Sequence, residues 1–246
     1  MEAPFSHTGE LAALATAVCW AISALAFQTA GRRVGSLPVN LIRLVMAVFL
    51  LGAFTWATRG APLPMDASPH VWVWLSLSGL AGFTIGDLCL FRAFVLVGAR
   101  VSMLMMTLVP LFTTVFGFLV MHELLTPKQI IGMALTIAGV SSVVLERRQD
   151  ANGRAERLPL IGVLLALCGA IGQSLGLVLA KFGMGSYDAF ASTQIRVLAG
   201  IIGFSVVFTV TGRWPRVRAA LRDRQAMTGT GIGAFFGPFI GVSLSL

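Results

Sequence analysis

Apolar residues fill this chain in long unbroken runs, and polar residues gather in the short gaps between them. Residues 11–30, 101–121, 158–180 and 226–246 contain no Asp, Glu, Lys or Arg at all. A helix rises about 1.5 Å per residue and needs about 20 apolar residues to cross about 30 Å of hydrocarbon, so each run is long enough to span a membrane. Setting the apolar runs against their breakers predicts eight helices, at 11–30, 38–57, 71–94, 101–121, 128–145, 158–180, 189–210 and 226–246. Pro38 opens the second. Thr126-Pro127-Lys128-Gln129 opens the fifth with a cap residue, a proline at the first helical position and a glutamine three after the cap. Gly60, Pro62 and Pro64 end the second helix in a loop. Trp56, Trp72 and Trp74 flank that loop and read as anchors at the membrane interface, with ordinary packing an equal reading for Trp74. The expected fold class is all-α, a polytopic membrane protein.

Composition agrees with the pattern. Apolar residues make up 57% of the 246 and charged residues 11%, against about 45–50% and about 25% in soluble domains. A water-soluble domain would have too little polar surface to show. The net charge of +8 comes from clusters between apolar runs, Arg147, Arg148, Arg154 and Arg157 in one and Arg213, Arg216, Arg218, Arg222 and Arg224 in another. That placement fits cytoplasmic loops facing anionic lipid, so the expected partners are the bilayer and a small-molecule substrate, not nucleic acid. A homodimer is left open. Cys19, Cys89 and Cys168 each lie inside an apolar run, without disulfide or zinc spacing, and no cofactor or metal is expected. The first run has no basic segment before it and is followed at once by Arg32 and Arg33, so it reads as a retained helix and not a signal peptide.

The two halves of the chain are related. With a shift of 153, Gly9 falls on Gly162, Ala13 on Ala166, Ala17 on Ala170, Ile42-Arg43 on Ile195-Arg196 and Thr58 on Thr211. After a two-residue slip, Gly82, Ile85 and Gly86 meet Gly237, Ile240 and Gly241. The expected organisation is a first unit at 1–146, a hydrophilic linker at 147–157 and a second unit at 158–246. Five helices is an odd number, so a second copy enters the bilayer from the opposite side. Inverted repeats of this kind hold a substrate site between two halves and expose it to each side in turn. A complete second unit would run to about residue 299, so the second repeat is expected to lack its last two helices.

At the junction of the fourth and fifth helices stand Pro110, Gly117, Glu123, Thr126, Pro127, Gln129, Gly132 and Gly139-Val140. This succession resembles the EamA-type members of the drug/metabolite transporter superfamily. The resemblance implies ten helices in two five-helix repeats, and a transporter in the plasma membrane, commonly an exporter of metabolites or amino acids, without a bound cofactor. In the usual family picture both termini are cytoplasmic. The loops that would then be cytoplasmic carry three basic residues, Arg59, Lys128 and Lys181, and the opposite loops carry twelve, so the positive-inside rule places the N-terminus outside.

The candidate chemistry centres on Asp87. A carboxylate deep in an apolar run costs about 2.5–3.5 kcal/mol on insertion scales and should face the bundle interior, where it suits proton coupling or cation binding. Arg43 enters from the same membrane side, both groups lie roughly 8–11 Å deep, and they can pair. A plain packing pair is the competing reading. Arg43 recurs as Arg196, whereas Asp87 is matched by Val242. Pro110 in mid-helix should kink its helix and free a carbonyl to line a cavity or bond a neighbour, a simple packing kink being an equal reading. These four residues, Asp87, Arg43, Arg196 and Pro110, are the candidates for substrate or coupling-ion contact. Glu123, Gly82, Gly86, Gly237 and Gly241 read as structural, the glycines because four-residue spacing permits close helix contact. Met103, Met105 and Met106 are core residues first and an adaptable substrate wall second. No enzyme is expected: His7, His70 and His122 form no His-Glu-x-x-His helix, and Asp87 has no second buried aspartate, since Asp188 sits in a loop. A membrane scaffold or sensor that moves nothing is the remaining alternative.

Overall fold

The computed structural model describes residues 8–121, 126–145, 148–149, 155–156 and 159–241. Glu123 lies outside these. The described chain is helical apart from its connections and a two-residue antiparallel ladder, Arg148-Gln149 with Ala155-Glu156, inside the hydrophilic linker. Among the described residues six helices are long and apolar enough to cross a membrane: Leu14–Val34, Ser36–Arg59, Pro69–Leu96, Gly98–Leu119, Leu160–Met184 and Ala189–Val210.

Two of the expected helices are not continuous α-helices. The one expected at 71–94 is α3 (Pro69–Gly79), a π-helical stretch (Leu80–Gly86) and then α4 (Asp87–Leu96). A π turn widens the helix by one residue, and here it is built around Gly79, Gly82 and Gly86. The helix expected at 101–121 is α5 (Gly98–Met106) and α6 (Val109–Met121), parted by a turn at Thr107 and Leu108. The interruption lies in the turn that Pro110, lacking an N–H, leaves unpaired, so the helix divides just before the proline that was expected to kink it. The break precedes the proline, which falls in the first turn of α6, where a missing N–H costs nothing.

The remaining helices are α1 (Thr8–Val34), α2 (Ser36–Arg59), α7 (Pro127–Leu145), α8 (Leu160–Met184), α9 (Ala189–Val210), α10 (Trp214–Arg222) and α11 (Arg224–Ala234), the last passing into a second π-helical stretch, Phe235–Gly241. α10 had no counterpart in the expected set. It is amphipathic, with Val217 and Ala220 buried and Arg216, Arg218 and Arg222 exposed, so it suits the membrane surface more than its interior. The box at Thr126 forms as its spelling implies, the Thr126 N–H donating to Gln129 Oε1 at 2.8 Å. Gly60, at φ 71°, caps α2 in the left-handed conformation that glycine takes without strain.

Small residues set the packing. α8 runs antiparallel to the whole α3–π–α4 segment, with Gly183 on Trp74, Gly176 on Gly82, Gly172 on Gly86, Gly169 on Leu90 and Gly162 on Val97. Trp74 is therefore a packing residue, and it also stacks edge-on to Phe182. α11 lies against α1 in the same way, with Gly229 beside Ala26 and Ala30, Gly233 on Phe27 and Gly237 on Ser23. α2 and α9 cross antiparallel, Gly52 meeting Gln194 while Gly200 meets Leu44. Their contact, with Leu44, Leu51, Phe204 and Phe208 fully buried, forms the main apolar core. α7 is exposed almost throughout, and its buried Val140 joins the cluster of Val101, Met105 and Leu108 beside α5.

The segments at 69–86 and 224–241 match residue for residue at an offset of 155. Ser68 caps α3 by accepting the Val71 N–H, and Asp223 caps α11 by accepting the Ala226 N–H. Both helices have 11 residues, and both then turn π-helical for seven. The Ser23 hydroxyl donates to the Gly233 carbonyl at 2.8 Å, and the Ser78 hydroxyl donates to the Gly176 carbonyl at 2.5 Å. These are one contact with donor and acceptor sides exchanged, since 176 lies 153 beyond 23 and 233 lies 155 beyond 78.

Polar clasps close the bundle at its ends. At one end Arg33 donates to Asp223 at 2.6 Å, and at the other Asp66 accepts from Arg59 at 2.7 Å and from the Tyr187 hydroxyl at 2.8 Å. The Ala226 N–H first and then Arg33 hold the Asp223 carboxyl below the usual carboxylate range. The Tyr187 hydroxyl, ahead of Arg59, does the same for Asp66. A depressed folded-state value means the clasps stabilise fully at neutral pH and release as pH falls through the ordinary carboxylate range toward the depressed values. Detergent-solubilised protein should therefore lose melting temperature on acidification below about pH 4. An Asp66→Asn, Asp223→Asn double variant should start lower at neutral pH and lose less; equal acid slopes in the two proteins would remove the clasps from the account.

Candidate functional site

The polar centre forms where α2, the start of α4, α8 and α9 converge. Asn40 and Arg43, three residues apart, share one face of α2. The Asn40 amide donates to the Asp87 carbonyl at 3.0 Å, and its oxygen accepts from Arg43 Nε at 3.0 Å. Arg43 Nη2 donates to Asp87 Oδ2, making a buried ion pair in which each residue is 3% exposed. Gln173 of α8 donates through Nε2 to Asp87 Oδ1 at 2.6 Å. Each carboxylate oxygen thus accepts from one side chain, one from each half of the chain.

Aromatic rings complete the enclosure. The Arg43 guanidinium lies 4.8 Å from the Phe91 ring centre, 5.6 Å from that of Phe27 and 5.9 Å from that of Phe83. Arg196 approaches Phe83 at 4.9 Å. Two guanidiniums and one carboxylate share this pocket of low dielectric, so the cluster carries one net positive charge. Desolvated cation–π contacts contribute up to about 2 kcal/mol each, and they soften that charge without cancelling it.

Arg196 is the unsatisfied member. Its Nε is buried, and among the described residues it has no hydrogen-bond acceptor. The hydroxyl of Ser192, one turn earlier on α9, is also buried without a partner. Position 193, the counterpart of Asn40 at the shift of 153, holds Thr193, whose hydroxyl turns back to the Ala189 carbonyl at 2.9 Å and offers Arg196 nothing. Arg196 and Gln173 keep partial exposure, whereas Asn40, Arg43 and Asp87 are buried.

The structure thus brings together three of the four candidate contact residues, Asp87, Arg43 and Arg196. Pro110 stands exposed in α6, and the carbonyl before it, on Val109, accepts from Ser174 of α8 at 3.0 Å. Gly82 sits beside the Gln173 amide and Arg196, and Gly86 against the backbone of Gly172 and Gln173, so both admit α8 to the cluster. Gly237 packs on Ser23 and Trp20, and Gly241 closes the second π-helical stretch. Met105 is buried, with Met103 and Met106 packed on apolar neighbours, which places the methionines in the core. Asn40, Gln173 and Phe83 escaped the sequence reading. Asn40 and Gln173 are uncharged polar residues inside apolar runs, a faint but usable signal; Phe83 has none.

Asp188 serves as the cap of α9, accepting the Ala191 N–H at 2.8 Å. Cys89 and Cys168 face one another with sulfurs 3.5 Å apart. Among the described residues no three His, Cys, Asp or Glu side chains gather as a metal ion would require.

No curated protein matches the chain. The EamA-like transporter family matches residues 7–145, more than half of the chain and the whole of the part that supplies Asn40, Arg43 and Asp87. A buried, charged polar cluster among membrane-spanning helices and this match lead to one assignment: the chain belongs to the EamA-like transporter family, multi-pass membrane transporters of the drug/metabolite transporter superfamily.

Proposed function

We propose that this chain exports a small metabolite or drug by alternating access between two inverted repeats, residues 1–146 and 158–246, joined by the linker 147–157. The single observation that carries the reading is the exchanged pair of contacts, Ser23 to Gly233 and Ser78 to Gly176. A pair of that kind arises when two copies of one unit are related by a two-fold axis. The antiparallel crossing of α2 on α9, each the counterpart of the other, supports an axis in the membrane plane. The polar cluster draws Arg43 and Asp87 from the first unit and Gln173 and Arg196 from the second, so a rocking motion between units makes and breaks it. Asp87 is the coupling group in this reading, and its ion pair with Arg43 opens as the units move. The plasma membrane is the proposed location, with the poorly basic side, where α1 begins, facing outward.

A scaffold that moves nothing is favoured by one observation, the direct backbone contact of Gly86 on Gly172 beside the cluster. An occluded transporter packs as closely there. A scaffold, however, gains nothing from an unneutralised cation in its core, at a cost of about 2.5–3.5 kcal/mol on insertion scales.

Untargeted metabolite profiling of cells and medium, with and without the intact gene, tests the proposal. At least one small molecule should shift toward the cell interior when the gene is lost. Restoring the gene should reverse the shift and an Asp87→Asn copy should not. Unchanged distribution of every metabolite would sink the transport reading; full restoration by Asp87→Asn at normal expression would remove Asp87 from the mechanism.

A further inference from the structure

We propose that Arg196 binds a carboxylate of the transported molecule, so that this protein moves organic anions or zwitterions and rejects simple organic cations. The inference rests on the transport reading and adds the chemistry of its substrate.

Three observations carry it. The first is the charge count, two guanidiniums against one carboxylate in a shared apolar enclosure. The second is how unequally the two arginines are satisfied. Arg43 has Asp87, the Asn40 oxygen and three ring faces around it, while Arg196 has one ring face and a buried Nε without an acceptor. The donors that Asp87 accepts from are Arg43 and Gln173, and no hydrogen bond joins it to Arg196 among the described residues. The third is position. Arg196 and Gln173 are the cluster members that keep partial exposure, and the unpartnered Ser192 hydroxyl lies one turn from Arg196 on the same face.

The repeat gives a reason for the difference between the two arginines. In the first unit the position 44 residues after Arg43 holds Asp87. In the second unit the counterpart of Asp87 is Val242. Among the described residues, then, no carboxylate answers Arg196 as Asp87 answers Arg43. A guanidinium presents parallel N–H groups that match a carboxylate in two-pronged fashion, and Ser192 can add one O–H donor. A bound carboxylate would bring the cluster to two cations and two anions. A bound ammonium would bring three cations against one anion, so cations are excluded by repulsion alone.

The test uses the purified full chain in a neutral detergent free of anionic lipid, with benzoate as probe and benzamide as its uncharged analogue. Benzoate should raise the melting temperature saturably and benzamide should leave it unchanged. In Arg196→Gln the benzoate affinity should fall at least tenfold, and Arg196→Lys should keep part of it. Ser192→Ala, a smaller change, should weaken benzoate severalfold with the fold intact, and it decides the matter if the Gln variant does not fold. No saturable rise in the unaltered protein, an equal rise with benzamide, or benzoate binding untouched by both the Gln and Ala changes would each overturn the inference. The metabolite profile separates it from the transport reading. Export of neutral or cationic species only would retain transport and remove the carboxylate, while benzoate binding without any exported metabolite would do the reverse.

Discussion

Asp87→Asn should unfold far more easily than Arg43→Gln, although both remove one partner of the same ion pair. The asparagine variant leaves Arg43 and Arg196, both near the Phe83 ring, with no carboxylate between them to share. Stripping one partner from a buried ion pair typically costs about 3–5 kcal/mol because the survivor stays charged and unpaired. Here two cations survive, so the upper end applies. In Arg43→Gln, Asp87 keeps its bond from Gln173 and the attraction of Arg196, so the loss should resemble that of one charged hydrogen bond, about 2 kcal/mol. The double variant Arg43→Met, Asp87→Met replaces the pair by apolar groups and should lie nearer the unaltered protein than Asp87→Asn does. Titration with a denaturing detergent in mixed micelles reads all three. Equal midpoints for the two single variants would mean that Arg196 does not feel Asp87.

Gly172→Leu should be nearly as damaging, for a reason that involves no charge. A side chain built on Gly172 would place its first carbon 2.7 Å from Gly86 Cα and 3.0 Å from the Ala81 carbonyl, and both are backbone atoms that cannot swing aside. α8 must then lift away from the π-helical stretch. Overpacking of this kind costs about 3 kcal/mol, and it also pulls Gln173 off Asp87. Transport should disappear along with stability. Gly132 on α7 provides the control, since nothing lies within 4 Å of a carbon added there. Gly132→Ala should stay within about 1 kcal/mol of the unaltered protein and lean toward greater stability, because alanine suits a helix better. A Gly172→Leu variant that melts and transports normally would show that α8 does not sit on Gly86.

How much of this could be read beforehand differs from residue to residue. The approach of Arg43 to Asp87 followed from depth arithmetic along two helices, because two opposite charges in hydrocarbon at one level have few other places to go. The Thr126 box and the Gly60 cap followed from local chemistry that needs no tertiary partner. Pro110 marked the break, which falls in the turn before it because the lost hydrogen bond and the clashing ring act on that side, and the chain resumes with the proline in a first turn. α10 was hidden by its arginines, which resemble a loop until Val217 and Ala220 are seen on one face. The π-helical stretches left no mark in the spacing, since the two-residue slip between the shifts of 153 and 155 falls before both of them, in the connection after Thr58; they showed only as glycines whose role was taken to be contact alone.

Hydropathy and spacing settle that the chain lives in lipid as a stack of helices and that its halves echo one another, because a bilayer demands about 20 apolar residues per crossing and a duplicated unit keeps its breakers in step. Packing alone settles which polar atoms meet. Gln173 bonds Asp87 from 86 residues away, Phe83 touches two guanidiniums, and Thr193 turns to the backbone of its own helix. None of these choices has a local cause. Each depends on how near one helix can come to another, which is fixed jointly by glycines on both, and on which hydrogen-bonding atoms remain once the backbone has satisfied its own.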